Sequence, residues 1–217
     1  MNKENAMSAT VLHYIYDPLC GWCYGAAPLI SAAREVLPVS AHAGGMMSGA
    51  GRQPVSDTLR NYVMPHDKRI AALTGQPFGD AYFNGLLHDQ DALFDSEPPI
   101  SAVLAAEALA GRGLDLLARI QIAHYVEGRR IADVAVLTEL ALELGIDGAA
   151  FAAGYASASG AETQRHIAAS RRLLARVGGH GFPTLALERD GKLEALDTGR
   201  WLGRPDALRT HLMQYAA

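Results

Sequence analysis

Cys20-Gly21-Trp22-Cys23 holds the only two cysteines among the 217 residues of this chain. Thiols at this spacing can close into a small disulfide ring or open to a dithiol. The run Val11-Leu12-His13-Tyr14-Ile15-Tyr16 before them is apolar and β-like, and Tyr24 to Leu37 after them is helix-like. The first thiol therefore falls at a helix N-terminus. Free backbone N–H groups and the helix dipole there favour a thiolate over a thiol. This is the arrangement of a thiol–disulfide exchange site.

Two other chemistries fit the same four residues. Cys-x-x-Cys supplies half of a tetrahedral zinc site, but zinc needs two further ligands. There is no second cysteine pair, and the eight histidines are scattered without a short-spaced pair. An inert pair of buried thiols is the other alternative. The strand–CxxC–helix context favours redox chemistry over both. Trp22, inside the ring, offers an aromatic face to apolar substrate. Met46 and Met47, after Gly44-Gly45, either line a substrate groove or fill core.

Composition narrows the setting. Net charge is −4 and no Lys/Arg block occurs, so the footprint of a nucleic-acid binder is absent. No run approaches the roughly 18 apolar residues of a membrane span. Met1 to Thr10 is polar and does not read as a secretory signal. The chain reads as cytoplasmic, where structural disulfides are rare and a lone cysteine pair is better explained by catalysis.

The elements that must hold the dithiol follow from pattern. Residues 11–16 form a strand and 20–37 a helix kinked by Pro28 and stopped by Pro38. Val39 to Ala43 forms a second strand, which makes a right-handed βαβ unit. From about Pro54 to Val177 helix formers dominate. The breaks predict helices over Val55–Leu73, Pro99–Leu109, Leu114–Val126, Val134–Leu144, Gly148–Tyr155 and Glu162–Val177, with Asp133 and Asp147 as N-caps. Thr184–Leu187 and Lys192–Leu196 then flank an Asp190-Gly191 turn, and a last helix covers Asp206–Tyr215.

Cys-x-x-Cys after the first strand, Pro28 five residues beyond Cys23, and Gly181-Phe182-Pro183-Thr184 before the late hairpin together resemble the thioredoxin fold. With a large all-helical insertion, the chain resembles the DsbA-like oxidoreductases, closest to the FrnE-type branch of predicted protein-disulfide isomerases. The resemblance implies an α/β thioredoxin-like domain from 10–50 and 178–217, interrupted by a helical domain from 51–177. It implies a cis Phe182–Pro183 bond beside the dithiol, with the Phe182 backbone placed to pair with an extended substrate. Relatives that bury an acid under the dithiol carry it about six residues before the first cysteine. Tyr14 stands there, and Asp17 is the nearest acid.

The reading is a thiol–disulfide oxidoreductase or isomerase. Cys20 attacks a disulfide and Cys23 resolves the mixed disulfide. With no histidine in the ring, thiolate stabilisation should be moderate. Substrates are disulfide-containing or thiol proteins and peptides. No cofactor or metal is expected, although glutathione could serve as reductant. The alternative is a glutathione-dependent isomerase or transferase of the 2-hydroxychromene-2-carboxylate isomerase and kappa-class type. Such proteins typically carry serine at the position of Cys20 and lack the second cysteine. Tyr16, Tyr24 and His180 are further candidates to border the site. The remaining histidines read as structural or exposed, and Arg171, Arg172 and Arg176 as a solvated stripe.

Overall fold

The computed structural model describes residues 10–216. The polar start read over Met1 to Ala9, and Ala217 at the end of the expected thioredoxin-like domain, lie outside the described residues.

Four strands make the central sheet: β1 (Val11–Tyr16), β2 (Val39–Ala43), β5 (Thr184–Arg189) and β6 (Lys192–Leu196), in the order β2-β1-β5-β6. β1 pairs in parallel with β2, Tyr14 opposite Ala41. β5 runs antiparallel to both β1 and β6. The turn at Asp190-Gly191 takes positive φ at both residues, as a tight Asp-Gly hairpin requires. β1 is central and buried along most of its length, so its C-terminal end delivers Asp17 to Cys20 into the interior.

The helix expected over 20–37 is two helices, α1 (Gly21–Gly25) and α2 (Ala27–Arg34), with Pro28 in the first turn of the second. Pro28 has no N–H to give and its ring crowds the preceding turn, so the ladder restarts there.

Between β2 and β5 lie β3 (Gln53–Pro54), α3 (Asp57–Thr74), β4 (Leu93–Phe94), α4 (Glu97–Ala110), α5 (Gly113–Tyr125), α6 (Val134–Glu143), α7 (Gly148–Ala158) and α8 (Ala161–Arg176). This segment is helical apart from the two-residue β3–β4 ladder, and it includes a π-helical turn over Ala81–Gly85. Ser56 caps α3 by accepting from the Leu59 N–H at 3.2 Å. Asp147 caps α7 by accepting from the Ala150 N–H at 2.9 Å. Asp133 stands at the start of α6 with extended backbone, but its side chain makes no cap bond. The terminal helix α9 (Pro205–Leu212) packs against α2. α8 packs against β2, and α1 meets both α3 and α5. The dithiol is therefore walled by helices from the middle of the chain.

Candidate active site

Cys20 occupies the N-cap of α1, and its carbonyl accepts the Cys23 and Tyr24 N–H groups at 2.9 and 3.1 Å. That places Cys20 at the positive end of the turn and Cys23 one turn deeper. Cys20 is 6% exposed and Cys23 fully buried, so the outer thiol faces the surface only through a narrow opening. Both are free thiols. Burial, and then the proximity of the Cys20 sulfur, push the Cys23 thiol well above its ordinary value. The inner sulfur thus keeps its proton while the outer one is free to react. The Cys20 thiol also donates to the Phe182 carbonyl at 3.4 Å.

The Phe182–Pro183 bond is cis, and its loop lies against Cys20 as the family resemblance implied. The Phe182 ring does not face the reacting sulfurs. It packs on Gly44, where an added Cβ would sit 2.1 Å from a ring carbon. The contact this loop makes with the dithiol is the Phe182 carbonyl.

A groove of about 390 Å³ opens beside Cys20. Trp22, Met46 and Met47 line it from the thioredoxin-like side, and Tyr62, Val63 and Asp67 line it from α3. Trp22 is half-buried, with the Arg69 guanidinium 5.9 Å from its ring centre. Met46 is 43% exposed and Met47 buried, so one methionine is available to a ligand and the other mostly fills core.

The Asp17 backbone moderates the rise of the Cys23 thiol, and its side chain shapes this wall. It is wholly buried and accepts the Leu19 N–H at 2.9 Å, the Met46 N–H at 2.6 Å and the Ser96 hydroxyl at 2.9 Å. Burial raises its carboxyl to about 6, and these three donors hold it from rising further. The Ser96 hydroxyl in turn accepts the Met47 N–H at 3.0 Å. The methionine loop is thereby pinned to the end of β1 and the start of α4. Tyr14, at the position where some relatives carry an acid, is buried and donates to the Cys23 carbonyl at 3.4 Å.

Three sequence candidates fall elsewhere. Tyr16 is buried and faces a separate cleft with Arg34 and Glu107. Tyr24 stacks on Tyr125 and donates to the Pro77 carbonyl at 2.8 Å. His180 is exposed and outside the groove. Each is drawn off by packing or solvent that sequence distance to Cys20 does not reveal. Arg171 also departs from the solvated stripe: its guanidinium donates to the Gly44 and Gly45 carbonyls at 2.8 and 2.6 Å. Asp67, Tyr62 and His66 were missed, because α3 lies more than thirty positions downstream and nothing in its local pattern points back to the dithiol. Pro65 inside that helix was the one local oddity. Among the described residues, no three His, Cys, Asp or Glu side chains gather to hold a metal ion.

The cytosolic disulfide reductase DsbM from Pseudomonas aeruginosa is 62% identical to this chain. The match covers 94% of this chain and 97% of DsbM, with a TM-score of 0.89. The chain belongs to the DsbA-like oxidoreductases. A structure of DsbM from the same organism with GSH matches at 58% identity, over 94% of this chain and 98% of that one, with a TM-score of 0.88. A 2-hydroxychromene-2-carboxylate isomerase shares 17% identity and a TM-score of 0.59, over 95% of this chain and 98% of its own. That likeness shows the fold alone. No protein-family model matches the chain, and no curated protein matches it. As in other DsbA-like oxidoreductases, the chemistry is thiol–disulfide exchange on a thioredoxin fold with a long helical segment between its halves.

Proposed function

We propose that this protein is a cytoplasmic disulfide reductase in which Cys20 attacks, Cys23 resolves, and glutathione restores the dithiol. The observation that carries the reading is the asymmetry of the two thiols. Cys20 sits at the helix N-terminus and opens on a groove. Cys23 is sealed beneath it, with its proton held by burial. The Cys20 thiolate attacks a substrate disulfide and releases one thiol. Cys23 then attacks Cys20 in the mixed disulfide and releases the second. Trp22 and the Phe182–Pro183 backbone border the reacting sulfur, where an extended peptide or glutathione would lie. The redox unit is residues 10–50 and 178–217, and 51–177 supplies the far wall of the groove.

The likeness to DsbM supports reduction as the direction and the cytosol as the place, and the DsbM structure with GSH supports glutathione as the thiol partner. Exposure of Cys23→Ser to glutathione disulfide should leave one glutathionyl group on Cys20, read by intact mass. Cys20→Ser should carry none and should lose reductase activity. Equal adducts on both variants, or a fully active Cys20→Ser, would overturn the assignment.

A further inference from the structure

We infer that Asp67, reaching in from α3, is the general acid that protonates the thiolate leaving a substrate disulfide. The inference rests on the reductase reading above and adds the group that handles the leaving sulfur's proton.

Four observations place Asp67 there. It lines the groove that Cys20 opens on. It is 4% exposed, so the carboxyl meets the groove and not bulk water. One oxygen lies directly over the active-site ring: a Cβ added at Gly21 would stand 2.4 Å from Asp67 Oδ1. The other oxygen is fixed, because Tyr82 Oη donates to Oδ2 at 2.7 Å. One oxygen is thus held and the other lies against Gly21, which stands between the two cysteines. A buried carboxyl is costly without hydrogen-bond partners, and Tyr82 supplies one.

The groups around it set its protonation. Tyr82 faces it from the π-helical turn, Tyr125 lines the groove from α5, and Cys20 lies across it at the start of α1. His66 and Tyr62 flank it on its own helix, and Arg69 is turned onto Trp22. Burial raises the carboxyl to about 6, with the Tyr82 bond and His66 opposing. A general acid works best near the operating pH.

The step balances without a further reactant. The Cys20 thiolate forms a bond to one substrate sulfur and the substrate S–S bond breaks. The departing sulfur takes the electron pair and receives the Asp67 proton, leaving a neutral thiol and a carboxylate. Cys23 then displaces the second sulfur, which departs with the Cys23 proton. Solvent reprotonates Asp67, and two equivalents of thiol, assigned above to glutathione, return the Cys20–Cys23 disulfide to the dithiol.

A comparison of two substrates isolates the role. Reduced protein is mixed with 2-hydroxyethyl disulfide, whose alkyl thiolate leaves poorly, or with 5,5′-dithiobis(2-nitrobenzoate), whose aryl thiolate leaves unaided. Both rates share the same Cys20 ionisation, so their ratio reports only help to the leaving group. Asp67→Asn should slow the alkyl reaction about 10²-fold near pH 6, the lower range of general acid catalysis, and leave the aryl reaction almost unchanged. The wild-type alkyl-to-aryl ratio should fall as pH rises through about 6, and the Asp67→Asn ratio should be flat. Tyr82→Phe keeps the carboxyl, removes a bond that lowers its pKa, and should move that fall to higher pH. Equal slowing of both substrates by Asp67→Asn, or a wild-type ratio independent of pH, would overturn the inference while the reductase reading stands. Failure of the wild type to reduce either disulfide would remove both.

Discussion

Gly44→Ala should disable the site from the far side of the Phe182 ring. An alanine Cβ there would lie 2.1 and 2.2 Å from two carbons of that ring, where ordinary contact begins at 3.4 Å, so one partner must retreat by about 1.3 Å. Gly44 cannot be the one that moves. Its N–H donates to the Tyr16 carbonyl at 2.7 Å, and its own carbonyl accepts from Arg171 at 2.8 Å. The loop carrying Phe182 is freer, since Gly181 has open space beside it. Displacing the ring drags the Phe182 carbonyl away from Cys20, which it now meets at 3.4 Å. Overpacking of this kind costs about 1–3 kcal/mol, and a misplacement of about 1 Å at a reacting group costs about 10²-fold in rate. Urea unfolding and kcat/KM on 2-hydroxyethyl disulfide would read the two effects. Phe182→Ala removes the obstacle, so adding Gly44→Ala to it should cost almost nothing, and the double-mutant cycle should return a coupling of about 1–3 kcal/mol. Wild-type rate and stability in Gly44→Ala would refute the reasoning, as would an equal cost with Phe182 absent.

Three further outcomes follow from the same structure. Asp67 has a carboxyl pKa of about 6 in the fold against 3.8 for a free side chain, so its contribution to stability is fully present below about pH 4 and is lost as pH rises from there through 6. Replacement by the non-titrating Asn should therefore gain about 3 kcal/mol relative to wild type between pH 4 and 7.5 in urea unfolding, and a pH-independent difference would count against it. His124 is buried among Phe94, Tyr82 and Tyr125, and burial lowers its pKa from 6.5 to about 3, only partly opposed by the Arg129 backbone. Its contribution is present above pH 6.5 and lost on acidification, so His124→Phe should gain about 2–3 kcal/mol on wild type between pH 7 and 4.5; thermal melts at both pH values with no change in the gap would contradict this. Gly79→Ala would place a Cβ 1.9 Å from the Val126 carbonyl oxygen, a backbone atom with little room to yield, and should destabilise by about 1–3 kcal/mol in the same assay.

The sequence by itself carried the reacting atoms and the frame that presents them. Cys20 and Cys23 could be read because the chemistry needs two thiols at one spacing on one turn, all within four residues. The strand before them, the Pro28 break and the Asp190-Gly191 turn were legible for the same reason: each is a local rule of backbone geometry. The Phe182–Pro183 loop came from the joint pattern of CxxC, late proline and helical segment, since no local rule ties residue 182 to residue 20.

What only the tertiary structure decided is which side chains from elsewhere converge on the dithiol. Asp67 and Tyr82 reach the groove from a helix and a turn whose own periodicity says only that they are amphipathic or irregular. Asp17, three residues before Cys20, is the nearest acid in sequence. The Met46 N–H and the Ser96 hydroxyl from distant chain, with the Leu19 N–H two residues on, hold it as an anchor for the Met46–Met47 loop instead. Tyr16 and Tyr24 flank the motif in sequence and yet turn away, because alternate positions of a strand and successive positions of a helix point in different directions. Local spacing fixes which atoms can react. Long-range packing of helices from the middle of the chain fixes the burial, the charge and the proton donors around them, and those depend on contacts that no window of sequence contains.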